Sequence, residues 1–190
     1  PRLPITLDGT EVGIDGRQAP VEYVSPTQIN VQVPFETETG NVEVFVKRAG
    51  VYGPPVRLPV TATSPAIFVI PSGGAVLKNN DFSVVSSSNP ATTGDVLSIF
   101  CTGLGAVTPA LGSGALAPGA NAGTIPVTAA TPTVTVGGVS ADMLASVTAP
   151  GFAGVYQVII RVPSGVPSGN QPLVITANGL KSNAPTIAIK

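Results

Sequence analysis

The sequence predicts an all-β protein of two β-sandwich modules in tandem, residues 1–62 and 63–190, the first lacking its N-terminal strands. Three observations predict it. First, residues Gln28 to Thr61 repeat as Gln157 to Lys190 at a constant offset of 129. Gln28 falls on Gln157, Val33-Pro34 on Val162-Pro163, Gly40-Asn41 on Gly169-Asn170, and Gly50 on Gly179. Second, short stretches of Val and Ile alternate with Ser, Thr and Asn between turn residues, and no stretch of ten residues keeps a 3.6 period. Third, the chain is 43% hydrophobic but only 10% charged, against about 25% charged in ordinary globular proteins.

The elements follow in order. Leu3 to Leu7 reads as a first strand. Asp8-Gly9 and Asp15-Gly16 are tight-turn pairs on either side of a returning strand, Val12 to Ile14. In Gln28 to Val33, the side chains of Ile29, Val31 and Val33 face in while Asn30 and Gln32 face out, and Pro34 ends the strand. Val42 to Val46 and Val56 to Val60 complete the first module around the Ala49-Gly50 turn.

Thr61 to Pro65 reads as a short polar linker. The second module opens at Ala66 to Ile70 and carries a core strand at Asp95 to Thr102. Gly103 to Gly123 is a long uncharged loop, expected to be either a surface excursion or a packed interaction surface. Thr133 to Val136, Gln157 to Val162, Leu173 to Thr176 and Thr186 to Ile189 then repeat the strands of the first module, with Asn178-Gly179 as a strong hairpin signal.

The long segment Ser64 to Ala130 precedes the second copy, and nothing comparable precedes the first. A module of about 60 residues is marginal alone. The expectation is an open strand edge, covered by another chain or by sequence upstream of Pro1. A chain that begins at Pro1 also reads as processed or excised.

Several phrases together resemble a known family. They are Val24-Ser-Pro-Thr-Gln-Ile-Asn-Val-Gln-Val-Pro34, Asn89-Pro-Ala-Thr-Thr-Gly-Asp95, Thr102-Gly-Leu-Gly105 and Ala149-Pro-Gly-Phe-Ala-Gly-Val-Tyr-Gln157. The chain resembles, over nearly its whole length, the uncharacterised Solibacter-type C-terminal module of secreted acidobacterial proteins. That resemblance implies an immunoglobulin-like β-sandwich pair and carries no catalytic residues. Family members usually have a further segment ahead of the first module, with a strand comparable to Asp95–Thr102.

The chemistry is sparse. With no His, the chain has no Ser-His-Asp or Cys-His nucleophile and no imidazole acid or base. Among the ten carboxylates, Glu36 and Glu38 share one turn, and nothing places two across a cleft as glycoside hydrolysis needs. Asp8, Glu11 and Asp15 are the nearest approach to an oxygen-ligand set, at a spacing that matches no calcium loop. Lys47, the closest candidate for a Lys–Asn cross-link, lies on an outward strand face. Cys101, the single cysteine, reads as a small buried hydrophobe.

No cofactor is expected. A net charge of −1 without a basic cluster argues against nucleic acid, and no apolar run approaches a membrane span. Few charges, many Ser and Thr, and no Trp or His fit an extracellular or cell-surface setting.

The expected function is therefore a non-catalytic structural module that self-associates into a surface filament by strand complementation between subunits. The candidate assembly surface is Leu3, Ile5, Leu7, Ile29, Val31, Val33 and Phe45. Phe45 is included because the alternation of Val44 and Val46 turns it outward, toward packing between modules or a partner. The alternative is an adhesion or carbohydrate-binding accessory module of a larger secreted protein, with a surface glycan or a protein as ligand.

Overall fold

A computed structural model describes every residue except Ala120 and Ala122. Among the described residues the chain is all-β, with no helix and several sheets, an arrangement consistent with β-sandwich packing. It divides into two compact units, and the first is discontinuous. Unit 1 holds Pro1–Ala62 together with Pro109–Ile125 and Pro150–Gly154, and unit 2 holds the rest.

In unit 1, β1 (Thr10–Ile14), β2 (Arg17–Gln18), β3 (Val21–Val24), β4 (Ile29–Val31), β5 (Gly40–Arg48), β6 (Val51–Tyr52) and β7 (Val56–Val60) form two sheets. One runs β2-β1-β5-β6 with β7 also on β5, and the other is the β3-β4 pair. Val12 and Ile14 of β1 and Val42 of β5 are buried, with Ala19, in one apolar cluster. Ile29 and Val31 of β4 pack against it, as do Val44, Val46 and Val60. Both Asp-Gly pairs and Ala49-Gly50 have positive φ at both residues, which the twist of a two-residue hairpin demands.

The expected strand Leu3–Leu7 does not form as a strand; it makes only single bridges, Arg2 with Ala115 and Leu7 with Thr10. Pro4 supplies no N–H, and its carbonyl accepts from Val21. The segment after residue 108 lies beside it. Leu3 N donates to the Gly114 carbonyl and Leu116 N to the Pro1 carbonyl. Farther out, Ala117 N donates to Phe152 O and Gly151 N to Ala117 O. The part of the uncharged loop from Pro109 is thus a packed element of unit 1.

Unit 2 holds β8 (Ala66–Ile67), β9 (Val69–Ile70), β10 (Gly73–Gly74), β11 (Val76–Lys78), β12 (Val96–Thr102), β13 (Val107–Thr108) and β14 (Val127–Thr128). After these come β15 (Thr133–Val136), β16 (Val139–Thr148), β17 (Tyr156–Arg161), β18 (Gly169–Ala177), β19 (Leu180–Lys181) and β20 (Thr186–Ile189). Its core strands bury alternate apolar residues, and β12 buries Ser98 as well. Leu97, Ile99 and Cys101 of β12, Val158 and Ile160 of β17, and Leu173 and Ile175 of β18 are all fully buried. β16 serves three neighbours, β15 through its first residues, β17 from Asp142 on and β14 at Val147, and a bulge between Met143 and Ala145 bends it.

The repeat is visible strand for strand. β5 and β18 are the same stretch of the repeat, as are β6 and β19. Gly40 pairs with Val60 in unit 1, and Gly169 with Ile189 in unit 2. β1 and β15 occupy the same place: Val12 faces Val46 and Ile14 faces Val44, as Val134 faces Ile175 and Val136 faces Leu173. Even the irregularities agree. Val21, Tyr23 and Val24 pair with Val31, Asn30 and Ile29 across a bulge, and Met143, Ala145 and Ser146 pair with Ile160, Ile159 and Val158 across another.

Candidate functional site: an unfinished sheet in unit 1

Because the two units share one frame, they can be compared edge by edge. In unit 2, β17 lies between β16 on one side and β12 on the other, with Leu97 opposite Ile160 and Ile99 opposite Val158. In unit 1 the equivalent strand, β4, pairs among the described residues with β3 alone. β12 lies in the segment Ser64 to Ala130, ahead of the second copy of the repeat.

Burial records the same gap. Val162 is 1% exposed and Val33, at the same repeat position, is 48% exposed. Val158 and Ile160 are fully buried, while Ile29 and Val31 are half-buried. At the far edge, Ile187 of β20 is 2% exposed and Leu58 of β7 is 48% exposed. β20 is flanked by Ala91, whose N–H donates to Ala188 O and whose carbonyl accepts from Lys190 N. Among the described residues, unit 1 therefore leaves part of its core less covered at these positions than unit 2 does.

An open depression of about 330 Å³ lies at the start of β4, lined by Thr10, Ser25, Pro26, Thr27, Gln28, Ile29, Val46 and Arg48. The Ser25 hydroxyl accepts from Thr27 N and Gln28 N, which fixes the turn into β4. No charged residue occurs between Val24 and Pro34.

The sequence-predicted residues fall in three places. Ile29, Val31 and Val33 line the open edge, the first two sharing their side chains with the unit 1 core. Leu3 and Leu7 are half-buried, and Ile5 is 47% exposed. Phe45 lies on the opposite face of its sheet, where its ring covers Gly13 and meets Tyr52 in a tilted contact with centroids 5.3 Å apart. A Cβ at Gly13 would fall within the Phe45 ring, so the outward aromatic fills space left by a glycine on the neighbouring strand. Leu58, on the second uncovered edge, was missed; its signal was the repeat itself, which aligns it with a strand core position.

Other candidates are placed elsewhere. Glu11 meets Lys47 at 3.4 Å and accepts from Gln18 Nε2 at 3.1 Å, so it faces a sheet surface rather than Asp8 and Asp15. Among the described residues no three acidic or thiol side chains gather to hold a metal. Cys101 is buried, and burial pushes its thiol up to about 12. Burial likewise raises Tyr156 to about 12, with Cys101 adding to the shift, and its hydroxyl donates to the Gly105 carbonyl.

Glu36 anchors the segment that joins unit 1 from beyond residue 108. Its carboxylate accepts from the Ser113 hydroxyl at 2.6 Å, and Ser113 Oγ accepts from Phe35 N. The Gln32 side chain takes Gly114 N at 2.6 Å. The Ser113 hydrogen bond, with lesser help from the backbone and Arg17, holds the Glu36 carboxyl below its ordinary value of 4.5. A depressed folded-state value means that the contribution is present above the unfolded value and is lost as pH falls through the folded one. The Gly114 and Phe35 amide resonances are therefore expected to move together as pH is lowered below about 4.5. Glu36→Gln should abolish that titration.

Phe82 stands apart. It has φ +57° and is 70% exposed, in a loop held by Asp81, whose carboxylate accepts from Ser83 N and Oγ. A left-handed conformation costs a non-glycine residue about 1–2 kcal/mol, and little burial offsets it here. Phe82→Gly is expected to stabilise unit 2 by about 1 kcal/mol, read as a higher urea midpoint.

No protein-family model matches the chain, and no curated protein matches it.

Proposed function

We propose that this chain is a non-catalytic structural protein of the extracellular space or cell surface, built from two immunoglobulin-like modules in tandem. Copies join by strand complementation. The observation that carries this reading is the contrast between β17, bracketed by two strands, and β4, paired on one side only. An added strand at β4 gains main-chain hydrogen bonds and covers Ile29, Val31 and Val33 at the same time. Left uncovered, such an edge invites uncontrolled pairing. If the donor lies on a different surface from the acceptor, the contact is head-to-tail and repeats into a filament rather than closing.

Electron microscopy and light scattering across a concentration series test this. The expected result is filaments whose formation is lost in Val33→Asp, a change at an exposed position that leaves the dispersed chain folded. Monodisperse single chains at every concentration would overturn it.

A further inference from the structure

We infer that the outer face of the larger unit 1 sheet, turned away from the core, binds an uncharged oligosaccharide. The sugar lies across Phe45 and Tyr52 and is held by Glu11, Gln18 and Lys47. None of these residues lies on β3 or β4, so the site stands apart from the self-assembly proposed above.

Register sets which residues share this face. Val12, Ile14, Val44 and Val46 point into the core, so Glu11, Gly13, Phe45 and Lys47 point out. Gln18 faces Gly13 from β2, and Tyr52 faces Lys47 from β6. Unit 2 supplies a comparison within the same chain. Its β15 and β18 keep the apolar core positions, as Val134, Val136, Leu173 and Ile175. On the outer face, Thr135 stands opposite Val174 where unit 1 has Gly13 opposite Phe45. Thr133 stands opposite Thr176 where unit 1 has Glu11 opposite Lys47, and Lys181 takes the place of Tyr52. The frame thus folds with Thr and Val at these positions, and the rings, the ion pair and the glycine of unit 1 are additions to it.

Gly13 is the costly member, because a glycine inside a strand weakens it. Without a Cβ it lets the Phe45 ring lie across β1, where the ring buries Gly13 and stays half-exposed itself. Tyr52 beside it is 62% exposed. The two rings form an apolar platform, and the polar groups around it are already held in place. Lys47 Nζ lies 3.4 Å from Glu11 and 5.5 Å from the Tyr52 ring centroid. Gln18 Nε2 donates to the same carboxylate at 3.1 Å. Each of the three keeps further donors or acceptors to offer, and none is buried.

A sugar fits this chemistry. A pyranose has an apolar face of C–H groups that suits an aromatic ring, and a rim of hydroxyls that both donate and accept. The charge on the face suits a neutral ligand, since Glu11 and Glu43 are balanced by Lys47 and Arg57, which face them across the sheet. A phosphate or uronate would meet two carboxylates, and a basic peptide two cations. The platform is a sheet face rather than a cavity, and Glu43, Phe45 and Lys47 stand at alternate positions over about 13 Å of β5. Such a surface takes several units of an extended chain rather than one enclosed small molecule.

NMR titration of the full chain tests this, with the neutral hexasaccharides of cellulose, xylan, mannan, laminarin and chitin added singly, and hexagalacturonate as the acidic control. The expected result is saturable movement of the Gly13, Phe45 and Tyr52 amides and the Gln18 side-chain amide with at least one neutral sugar, and none with hexagalacturonate. Gly13→Thr with Phe45→Val gives unit 1 the pair that unit 2 holds. That double variant should bind about tenfold more weakly or worse, without lowering the urea midpoint of unit 1. Tyr52→Ala, at an exposed position, should weaken binding likewise. No movement with any neutral hexasaccharide would overturn the inference, as would movement confined to other residues or undiminished binding in both variants. Movement of the same amides on raising the protein concentration alone, without sugar, would also overturn it and assign the face to a second copy.

Discussion

Ile160→Ala should destabilise unit 2 by about 2–5 kcal/mol, the range for removing a large aliphatic side chain from a packed core. Ile160 is fully buried on β17, with Leu97 of β12 opposite on one side and Met143 of β16 on the other. No neighbour can collapse into the space without distorting a ladder that is paired on both edges. Val31→Ala changes the same repeat position in unit 1, where only one neighbouring strand is present and the residue is half-buried. Its cost in dispersed chains should be about 1 kcal/mol or less, because water already reaches the site. Separate urea transitions for the two units, followed by amide resonances, provide the comparison. Equal costs at the two positions would mean that β4 is as well covered as β17.

Gly103→Ala should cost at least about 2 kcal/mol, despite adding one methyl group. Gly103 has φ +76°, a conformation that alone penalises alanine by about 1–2 kcal/mol. A Cβ there would also fall on the Ser64 carbonyl oxygen, which is backbone and cannot rotate aside. That carbonyl is held because Ser64 N donates to Gly103 O at 2.7 Å, where β12 ends and β8 begins. Relieving the clash means opening this bond. The loss should appear as a lower urea midpoint for unit 2, with unit 1 unaffected. Gly9→Ala is the control: it shares the positive φ but has open space around it, so only the conformational part should remain.

Much of this fold is legible in the residues, for physical reasons that differ by element. The turns at Asp8-Gly9, Asp15-Gly16, Ala49-Gly50 and Asn178-Gly179 are local chemistry, and all four have positive φ at both residues. β12 and β17 announce themselves by their density of apolar residues, with Leu97, Ile99, Cys101, Val158 and Ile160 at alternate, fully buried positions. β16 was not read, since a bulge shifts its period and past it the buried positions are the polar Ser146 and Thr148. Its one clear signal was Gly137-Gly138, where both residues have positive φ. β3 was missed for the same reason, having a bulge at Glu22. Leu3–Leu7 shows the converse: its alternation is real, but a strand needs a neighbour, and in its own unit it finds only single bridges.

The candidate site was legible in outline from the offset repeat, which aligns β4 with β17 residue by residue. The sequence did not indicate that Pro109–Ile125 would join unit 1. The loop has no periodicity, and its attachment depends on Ser113, Gly114 and Gln32, contacts separated by about 80 residues of chain. Nor could alternation alone distinguish a half-covered β4 from a fully covered β17. The difference lies in Val33 and Val162, identical residues in matching phrases that differ only in what packs beside them.

Amide hydrogen exchange, compared between dispersed and assembled protein, tests the central claim most directly. In peptides covering Gln28–Pro34, the amides not bonded to β3, Pro20 or Ser25 should exchange freely in dispersed chains and become protected on assembly, while Gln157–Pro163 should be protected in both states. Assembled protein in which Gln28–Pro34 exchanges as freely as in single chains would contradict the claim that β4 is the edge where copies complete one another.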